Sequence, residues 1–491
     1  MTEFCVQRVQ KKHYNAIATL LNESDEGWPG GLVYGNPFNE ERILRRYNNR
    51  EVVAALVGME KDRAVCLLEI EPYFKERDAA YVAFLNAHPS CHGKGYGRKT
   101  LQEAVEVALK EGYSRLDLYT WAGNIKAVPA YKKTGFFWYP STSVYMQNFL
   151  PQILSCPLLK DFFTRNDWYE TFSRPVDIAE DFYLENERRV FVYRWNGDVT
   201  LEVAVDVLDS RMFRFVLDGE EYSVTTDGEE LYLGYPKDFC IKAPRGMEIV
   251  VEAEEGYLLE KTTIRTTTGA PRKNMNDRSH SMKVTMKHPS GDVKLGLGFL
   301  SRFPIEVEFS PNPAVIPPSK TATPLVKTYN PMKKEVRYNL QLVSDNVHVV
   351  PKELSGCLGP LERKGERVGI EATPNSRIKT IIAVENGPTY ERDIPLLCPG
   401  RLMPDALIHD DHLYASDGRY LLEIYLKEGG VTGILDLKDR GLLLGNFLED
   451  FGPPFNPGHL RAKPYHASVL FTEDGTRILL ATEADKFGKI R

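Results

Sequence analysis

In the first 150 residues, apolar side chains recur at two alternating spacings, one typical of strands and the other of helices. Leu101, Ala104, Val105 and Ala108 occupy the i, i+3, i+4 and i+7 positions of one helix face, whereas Ser114–Thr120 alternates apolar and polar residues. The predicted strands are Glu3–Gln10, Glu51–Met59, Arg63–Glu71, Ala79–His88, Ser114–Thr120 and Phe136–Tyr145. The predicted helices are Lys11–Asn22, Gly97–Glu111 and Asn124–Lys133. This alternation predicts an α/β domain over residues 1–150.

The rest of the chain is dominated by short β runs separated by turn residues. Residues 151–189 form a predicted helical connector, with Pro151 near its start. Strands such as Thr200–Val207 then follow at even spacing, which is typical of β-sandwiches. The predicted parts are a β-rich domain at 190–300, an immunoglobulin-like β-sandwich at 301–390 and a β-rich segment at 391–491. The predicted fold class is therefore multidomain, with an α/β domain followed by mostly-β sandwich domains.

Composition and charge narrow the classes of partner. The 491 residues carry a net charge of −6 and no Lys/Arg block stands out, so we expect no nucleic-acid partner. No apolar run approaches the ~18 residues that cross a bilayer, and the N-terminus lacks a signal-peptide pattern, so we expect no membrane association. Seven cysteines without CxxC spacing favour reduced thiols over disulfides or a zinc site. These features predict a cytoplasmic protein without a metal site.

A glycine-rich turn joins the fourth predicted strand to the helix that follows it. Gly93, Gly95 and Gly97 alternate with Lys94 and Tyr96 directly before the helical spacing begins. The N-terminus of a helix has unpaired backbone N–H groups and a partial positive charge, and glycines let a phosphate approach the backbone closely. The turn therefore predicts a binding site for a pyrophosphate, with a purely structural strand-to-helix turn as the alternative.

A second pattern follows one strand–helix unit later. Asn124 fits a helix N-cap, Tyr131 lies about two turns further along that helix, and Gly135 fits its end. Pro129 within the helix removes one backbone hydrogen bond and is expected to bend it. Taken alone, this pattern predicts a capped helix with a packed tyrosine.

The two patterns together resemble the GNAT acetyltransferase superfamily, in which the glycine loop after the fourth strand is followed by an N-x-x-A-x-x-x-Y-x-x-x-G-F motif. Here that motif reads Asn124, Ala127, Tyr131, Gly135 and Phe136. The loop begins with His92, where the family has Arg or Gln. The resemblance covers residues 1–150 and implies a GNAT fold, whose fourth and fifth strands splay apart to admit acetyl-CoA.

The resemblance also implies roles for individual residues. Backbone groups of Leu85 and Ala87 would hold the pantetheine arm and acetyl group of acetyl-CoA, the expected co-substrate. The other residues expected to contact acetyl-CoA are His92, Gly93, Lys94, Gly95, Tyr96, Gly97, Arg98 and Asn124. Tyr131 would protonate the leaving CoA thiolate after a primary amine attacks the thioester directly in a ternary complex. The implied activity is N-acetyltransfer to a small-molecule or peptide amine.

The sequence leaves open which group takes the proton of the acceptor ammonium. Glu69 and Glu71 alternate with apolar residues at the end of a strand, so both could face the cleft, and Glu69 is the predicted general base. Surface placement is the alternative for each of them. Asp117 and His88 are weaker candidates for the base.

Other functions stay open beside acetyl transfer. The alternative for the first domain is a catalytically degenerate CoA-binding scaffold, since His92 and Pro129 depart from the family pattern. The C-terminal β modules could bind a carbohydrate or a protein. His409–His412 contains metal-ligand residue types but is predicted to be a solvated loop. The aromatic and acidic segment Gly445–Phe455 is predicted to be a packed loop, with sugar binding as the alternative.

Overall fold

A computed structural model describes most of the chain. The described ranges are 4–28, 31–48, 50–73, 76–121, 123–269, 280–316, 321–344, 346–401, 403–427, 432–439, 441–445, 464–472, 475–484 and 488–490. They fall into two compact units. Unit 1 contains the described residues of Met1–Leu231, Pro236–Thr268 and Arg272–Ser301, and unit 2 those of Tyr232–Tyr235, Gly269–Pro271 and Arg302–Arg491.

The N-terminal domain is a seven-stranded sheet flanked by helices. Strands β1 to β7 are Phe4–Arg8, Ala54–Glu60, Arg63–Pro72, Ala79–Ala87, Arg115–Tyr119, Phe136–Trp138 and Tyr145–Asn148. Helices α1 to α4 are Tyr14–Glu23, Glu40–Asn48, Tyr96–Lys110 and Ala127–Lys133, and short 3-10 helices are Lys11–His13, Asp25–Gly27 and Pro89–Cys91. The strand order is β1-β2-β3-β4-β5-β7-β6, in which β4 and β5 are parallel. The predicted α/β fold is confirmed.

Helices α1 and α3 pack on opposite faces of this sheet, because successive strand residues point to opposite sides. Leu67 of β3 lies in one apolar cluster with Ile17 of α1. Leu68 lies in another with Leu101 of α3. The predicted helical spacing over Leu101–Ala108 is therefore the buried face of α3.

The structure differs from the prediction at two places in this domain. Helix α2 was not predicted, because it is short and charged residues dominate it, with Ile43 as its buried residue. The predicted closing strand Phe136–Tyr145 is in fact two antiparallel strands, β6 and β7. Between them the chain turns, with Ser141 at a φ of 61°.

The predicted connector 151–189 is helical only in its first part. It contains α5 (Leu150–Leu154), a 3-10 turn (Pro157–Leu159) and α6 (Lys160–Arg165). Strands β8 to β22 follow as Phe172–Ser173, Tyr183–Glu185, Arg188–Asn196, Thr200–Asp206, Met212–Leu217, Glu220–Thr225, Glu230–Tyr232, Lys237–Asp238, Cys240–Lys242, Glu248–Ala253, Tyr257–Glu260, Thr263–Thr266, Met282–Lys287, Val293–Leu297 and Leu300–Arg302. The largest sheet among them has the order β16-β13-β12-β11-β10-β8, and β9 also pairs with β10.

This β sheet shares one hydrophobic core with the N-terminal domain. The ring of Phe137 on β6 stacks 4.8 Å from that of Phe191 on β10. The Tyr193 hydroxyl, also on β10, donates to the Gly135 carbonyl at 2.8 Å and accepts from the Phe149 amide at 2.8 Å. Residues 1–150 are therefore bonded into the β structure that follows them.

Unit 2 is built of further short strands. Strands β23 to β42 are Glu306–Ser310, Ala314–Val315, Thr321–Ala322, Leu325–Tyr329, Val336–Val343, Val347–Val350, Glu353–Leu358, Arg363–Arg367, Gly369–Ala372, Ile378–Val384, Thr389–Ile394, Leu396–Leu397, Asp405–His409, His412–Ser416, Tyr420–Tyr425, Thr432–Asp436, Gly441–Gly445, His466–Thr472, Gly475–Ala484 and Gly488–Ile490. A four-stranded sheet of order β29-β27-β32-β33 and a five-stranded sheet running from β35 to β39 are the largest. The β-rich C-terminal region is confirmed, and its immunoglobulin-like part stays a prediction.

The two other segments singled out in the sequence have different outcomes. His409–His412 is a tight hairpin rather than a solvated loop, since His409 pairs with His412 between β35 and β36. Across the described ranges, His, Cys, Asp and Glu form no group of three or more that could hold a metal ion. Of Gly445–Phe455, all but the first residue lies outside the described residues. No helix within the described part of the chain is long and apolar enough to cross a bilayer.

Candidate active site

Strands β4 and β5 are paired at their beginnings and then separate. Their parallel register covers Ala79 with Arg115, Ala80 with Leu116 and Tyr81 with Asp117. Strand β4 continues to Ala87, beyond its pairing with β5. Within the described residues, the second half of β4 therefore has no partner strand on that side. Backbone N–H and C=O groups of an open strand edge can bind an extended ligand as an added strand. The predicted arm-binding residues, Leu85 and Ala87, lie on this open half.

A bulge in β4 coincides with the point of separation. Val82 pairs with Ile70 and Phe84 pairs with Glu69, so Ala83 is an extra residue opposite β3. A bulge bends its strand and increases the local twist. The bend therefore accounts for the divergence of β4 from β5.

The glycine loop after β4 leads directly into the N-terminus of α3. Gly93 and Gly95 adopt φ angles of 83° and 79°, which disfavour other residues, and Gly95 is the N-cap. The Lys99 amide is bonded to the Gly95 carbonyl at 3.0 Å, so the amides of Tyr96, Gly97 and Arg98 precede the first intrahelical bond. A 15-residue helix thus directs free N–H groups and its positive end at the loop, as anion binding requires.

Several side chains of the loop are engaged elsewhere. The Tyr96 hydroxyl donates to Glu60 at 2.5 Å and its ring stacks on Phe4, with centroids 4.1 Å apart. The Lys94 ammonium is 3.8 Å from the same Glu60 carboxylate. His92 Nε2 lies 3.2 Å from the Ala87 carbonyl, which an arm bound along β4 would contact. A phosphate at this loop would therefore meet backbone amides, and an arm bound along β4 would require the exposed His92 to turn away.

Helix α4 begins later than predicted, at Ala127, and Asn124 is not its side-chain cap. The cap position is Lys126, which makes no side-chain cap bond. Asn124 Nδ2 instead donates to Thr120 Oγ1 at 2.9 Å. The later start places Pro129 in the first helical turn, directly after Val128, whose amide donates to the Asn124 carbonyl at 3.1 Å. The expected bend at Pro129 stays a prediction.

Tyr131 lies in α4 with its side chain buried. Its ring packs edge-on against Phe136, with centroids 6.0 Å apart. Within the described part of the chain its hydroxyl has no hydrogen-bond partner. Burial and then the neighbouring Tyr81 and Cys66 raise the pKa of Tyr131 above its ordinary value, so the phenol keeps its proton at neutral pH. A protonated, unbonded phenol is suited to donate to a thiolate.

Glu69 is held in an ion-pair network, which argues against its predicted role as the base. Its carboxylate is fully buried and accepts from Arg46 Nε at 2.7 Å, Arg46 Nη2 at 2.6 Å and Arg50 Nη1 at 2.8 Å. Burial alone would raise its pKa, but the two guanidinium groups outweigh burial and lower it. Glu71 is likewise paired with Arg50 at 2.5 Å. The pair of Glu69 with Arg46 anchors α2 to β3, and Arg50, which follows α2, bridges Glu69 and Glu71.

The two weaker candidates for the base are also engaged. Asp117 has no exposed surface, accepts two hydrogen bonds from Arg115 at 2.7 Å each, and accepts one from the Tyr145 hydroxyl at 2.6 Å. His88 Nδ1 accepts from the Ser90 amide at 3.1 Å. Burial and the neighbouring Arg63 lower the pKa of His88. None of the four candidates is an unbonded carboxylate or imidazole.

Residues 17–136 match the sequence profile of the acetyltransferase (GNAT) family. The N-terminal domain is a GNAT domain. Similar solved structures include an N-acetyltransferase from Staphylococcus aureus Mu50, with 15% identity over 30% of this chain and 99% of that one and a TM-score of 0.25. PaiA N-acetyltransferase from Thermoplasma acidophilum in complex with coenzyme A has 16% identity over 30% of this chain and 99% of that one, with a TM-score of 0.24. Ribosomal-protein-alanine N-acetyltransferase from Brucella melitensis has 16% identity over 30% of this chain and 99% of that one, with a TM-score of 0.25. No curated protein matches the chain.

Four tyrosines that the sequence analysis missed line the GNAT domain where β4 and β5 part. Tyr119 stacks on Tyr145 with centroids 4.5 Å apart, Tyr81 is 6.3 Å from Tyr119, and Tyr73 is 6.1 Å from Tyr145. Tyr119 is 46% exposed, so the cluster reaches solvent. The signal in the sequence that could have indicated this cluster is the alternation of Asp117 and Tyr119 with apolar residues on β5. Aromatic faces of this kind attract ammonium groups.

Proposed function

We propose that the protein transfers an acetyl group from acetyl-CoA to a primary amine. The observation that carries the proposal is the open half of β4 leading into the glycine loop and the N-terminus of α3. An acyl-CoA has an extended amide-containing arm and a pyrophosphate. These are the groups that an open strand edge and a helix N-terminus bind. Acetyl-CoA is therefore the proposed co-substrate, with Leu85, Ala87 and the loop from His92 to Arg98 as its contacts.

The proposed chemistry is direct attack of the amine on the thioester. A C–N bond forms, the C–S bond breaks, and Tyr131 donates its proton to the leaving sulfur. The attacking nitrogen then releases one proton to solvent, and Tyr131 regains one from solvent. Since Glu69, Glu71 and Asp117 are all paired with arginines, we propose that the acceptor ammonium loses its proton to solvent water beside the exposed Tyr119. The tyrosine cluster supports an acceptor that enters as a cation. A small-molecule or peptide amine meets that requirement.

The proposal is tested with the full chain, because the GNAT domain shares its core with the β sheet that follows. Acetyl-CoA is titrated calorimetrically, and release of free CoA thiol is then followed with a panel of amines. Binding together with amine-dependent thiol release is the expected result. Binding without release from any amine would favour the catalytically degenerate scaffold. Absence of binding would refute the site.

A further inference from the structure

Helix α4 carries a buried cation directly after Tyr131. The Lys132 side chain has no exposed surface. Its ammonium donates to the Ala179 carbonyl at 2.7 Å and to Asp181 Oδ1 at 2.9 Å. A charge removed from water is stable only with such partners. Helix α4 is therefore tied to residues that lie beyond the segment matching the GNAT family.

Asp181 also binds the strand that follows α4. Its Oδ2 accepts from the Trp138 amide at 2.9 Å, and its own amide donates to the Trp138 carbonyl at 3.0 Å. Arg174 Nη2 lies 3.1 Å from Asp181 Oδ1, and Nη1 donates to the Phe136 carbonyl at 2.6 Å. One carboxylate thus joins α4 to β6 and to the chain before β9.

The turn after the C-terminal end of α4 is also bonded to a residue beyond the segment that matches the GNAT family. The Gly135 carbonyl accepts from the Tyr193 hydroxyl at 2.8 Å. The Tyr131 hydroxyl, by contrast, has no hydrogen-bond partner in the described residues, so only the placement of its helix and ring fixes it. Any shift of α4 is therefore transmitted to the phenol.

We propose that Asp181 is a positioning residue for Tyr131 in acetyl transfer. The inference rests on the proposed function and extends the acetyl-transfer machinery beyond the GNAT domain. Without the charge of Asp181, the nearest carboxylate to the Lys132 ammonium is the exposed Asp177 at 3.6 Å, and α4 moves to bring the ammonium closer to water. A displacement of ~1 Å at a reacting group can lower the rate about 100-fold.

The test compares three single variants of the full chain. Asp181→Asn keeps the shape but removes the charge and one of the two acceptor oxygens, and Lys132→Met removes the buried cation. The control is Asp198→Asn, since Asp198 accepts from an arginine and an asparagine, Arg165 and Asn166, without contacting α4. We expect kcat to fall at least about tenfold in the two test variants, with KM for acetyl-CoA within about twofold. The control variant is expected to keep both values.

A double-mutant cycle with Tyr131→Phe separates positioning from general destabilisation. If Asp181 acts through Tyr131, Asp181→Asn lowers kcat in the native background and has no further effect in the Tyr131→Phe background. Multiplicative losses, or native turnover of Asp181→Asn, would overturn the inference and leave the proposed function intact. If Asp181→Asn does not fold, the same cycle with Lys132→Met decides. Native turnover of Tyr131→Phe would overturn both the role of Tyr131 and this inference.

Discussion

Replacing Gly135 by alanine probes the turn that joins α4 to β6. Gly135 has a φ of 94°, and a Cβ atom there would lie 2.5 Å from Leu150 Cδ1 and 3.1 Å from Asn148 Oδ1. The left-handed conformation costs a non-glycine residue about 1–2 kcal/mol. Overpacking adds about 1–3 kcal/mol. We therefore expect Gly135→Ala to lower the free energy of unfolding by about 2–5 kcal/mol.

Gly112→Ala is the matched control, because Gly112 follows α3 with a φ of 84° and a Cβ atom there would meet nothing within 4 Å. It carries the conformational cost alone, about 1–2 kcal/mol. Urea denaturation followed by tryptophan fluorescence measures both, since every tryptophan lies in unit 1: Trp28, Trp121, Trp138, Trp168 and Trp195. Equal losses in the two variants would refute the argument that Leu150 and Asn148 leave no room at Gly135.

Three further outcomes are expected. Gly95→Trp should raise the Kd for acetyl-CoA at least about tenfold in calorimetry, because the indole enters the N-terminal end of α3. Glu69→Gln should lower the free energy of unfolding at pH 7 by about 3–5 kcal/mol. Since the folded pKa of Glu69 is lowered, this difference should decrease as the pH falls below the ordinary glutamate value of about 4.3 and should vanish only below the lowered folded pKa. Because the pKa of Tyr131 is raised, the phenol should keep its proton between pH 7 and pH 10. Any fall in kcat over this range should therefore also occur in Tyr131→Phe.

Local patterns in the sequence predicted the local structure well. The α3 helix and the glycine loop could be predicted because apolar periodicity and glycine positions act within a few residues. Helix α2 could not, because its apolar face has one fully buried residue, Ile43, and its ion pair from Arg46 to Glu69 has no signal in the local sequence. The prediction of Glu69 as a base rests on its alternation on β3, which shows the side that Glu69 faces. The alternation does not show that Arg46 covers Glu69 on that side.

The remaining differences between the predicted and the observed structure arise from contacts between residues that are distant in the sequence. The start of α4 depends on the turn at Asn124, whose carbonyl accepts from the Ala127 and Val128 amides while its side chain bonds to Thr120. No composition rule separates this arrangement from a side-chain cap. The anchoring of Lys132 by Asp181, 49 positions along the chain, has no signal in either segment alone.

The bonds from Tyr193 to Gly135 and Phe149 set limits on transplanting this domain into another protein. A graft that ended at residue 150 would leave the Gly135 carbonyl and the Phe149 amide unpaired and would uncover Phe137. A graft that continued through β12, to Leu217, would carry Asp181, Tyr193 and Phe191 with it. That graft would still cut the shared core, which continues to Phe299, so the portable piece of this chain is unit 1, about twice as long as residues 1–150.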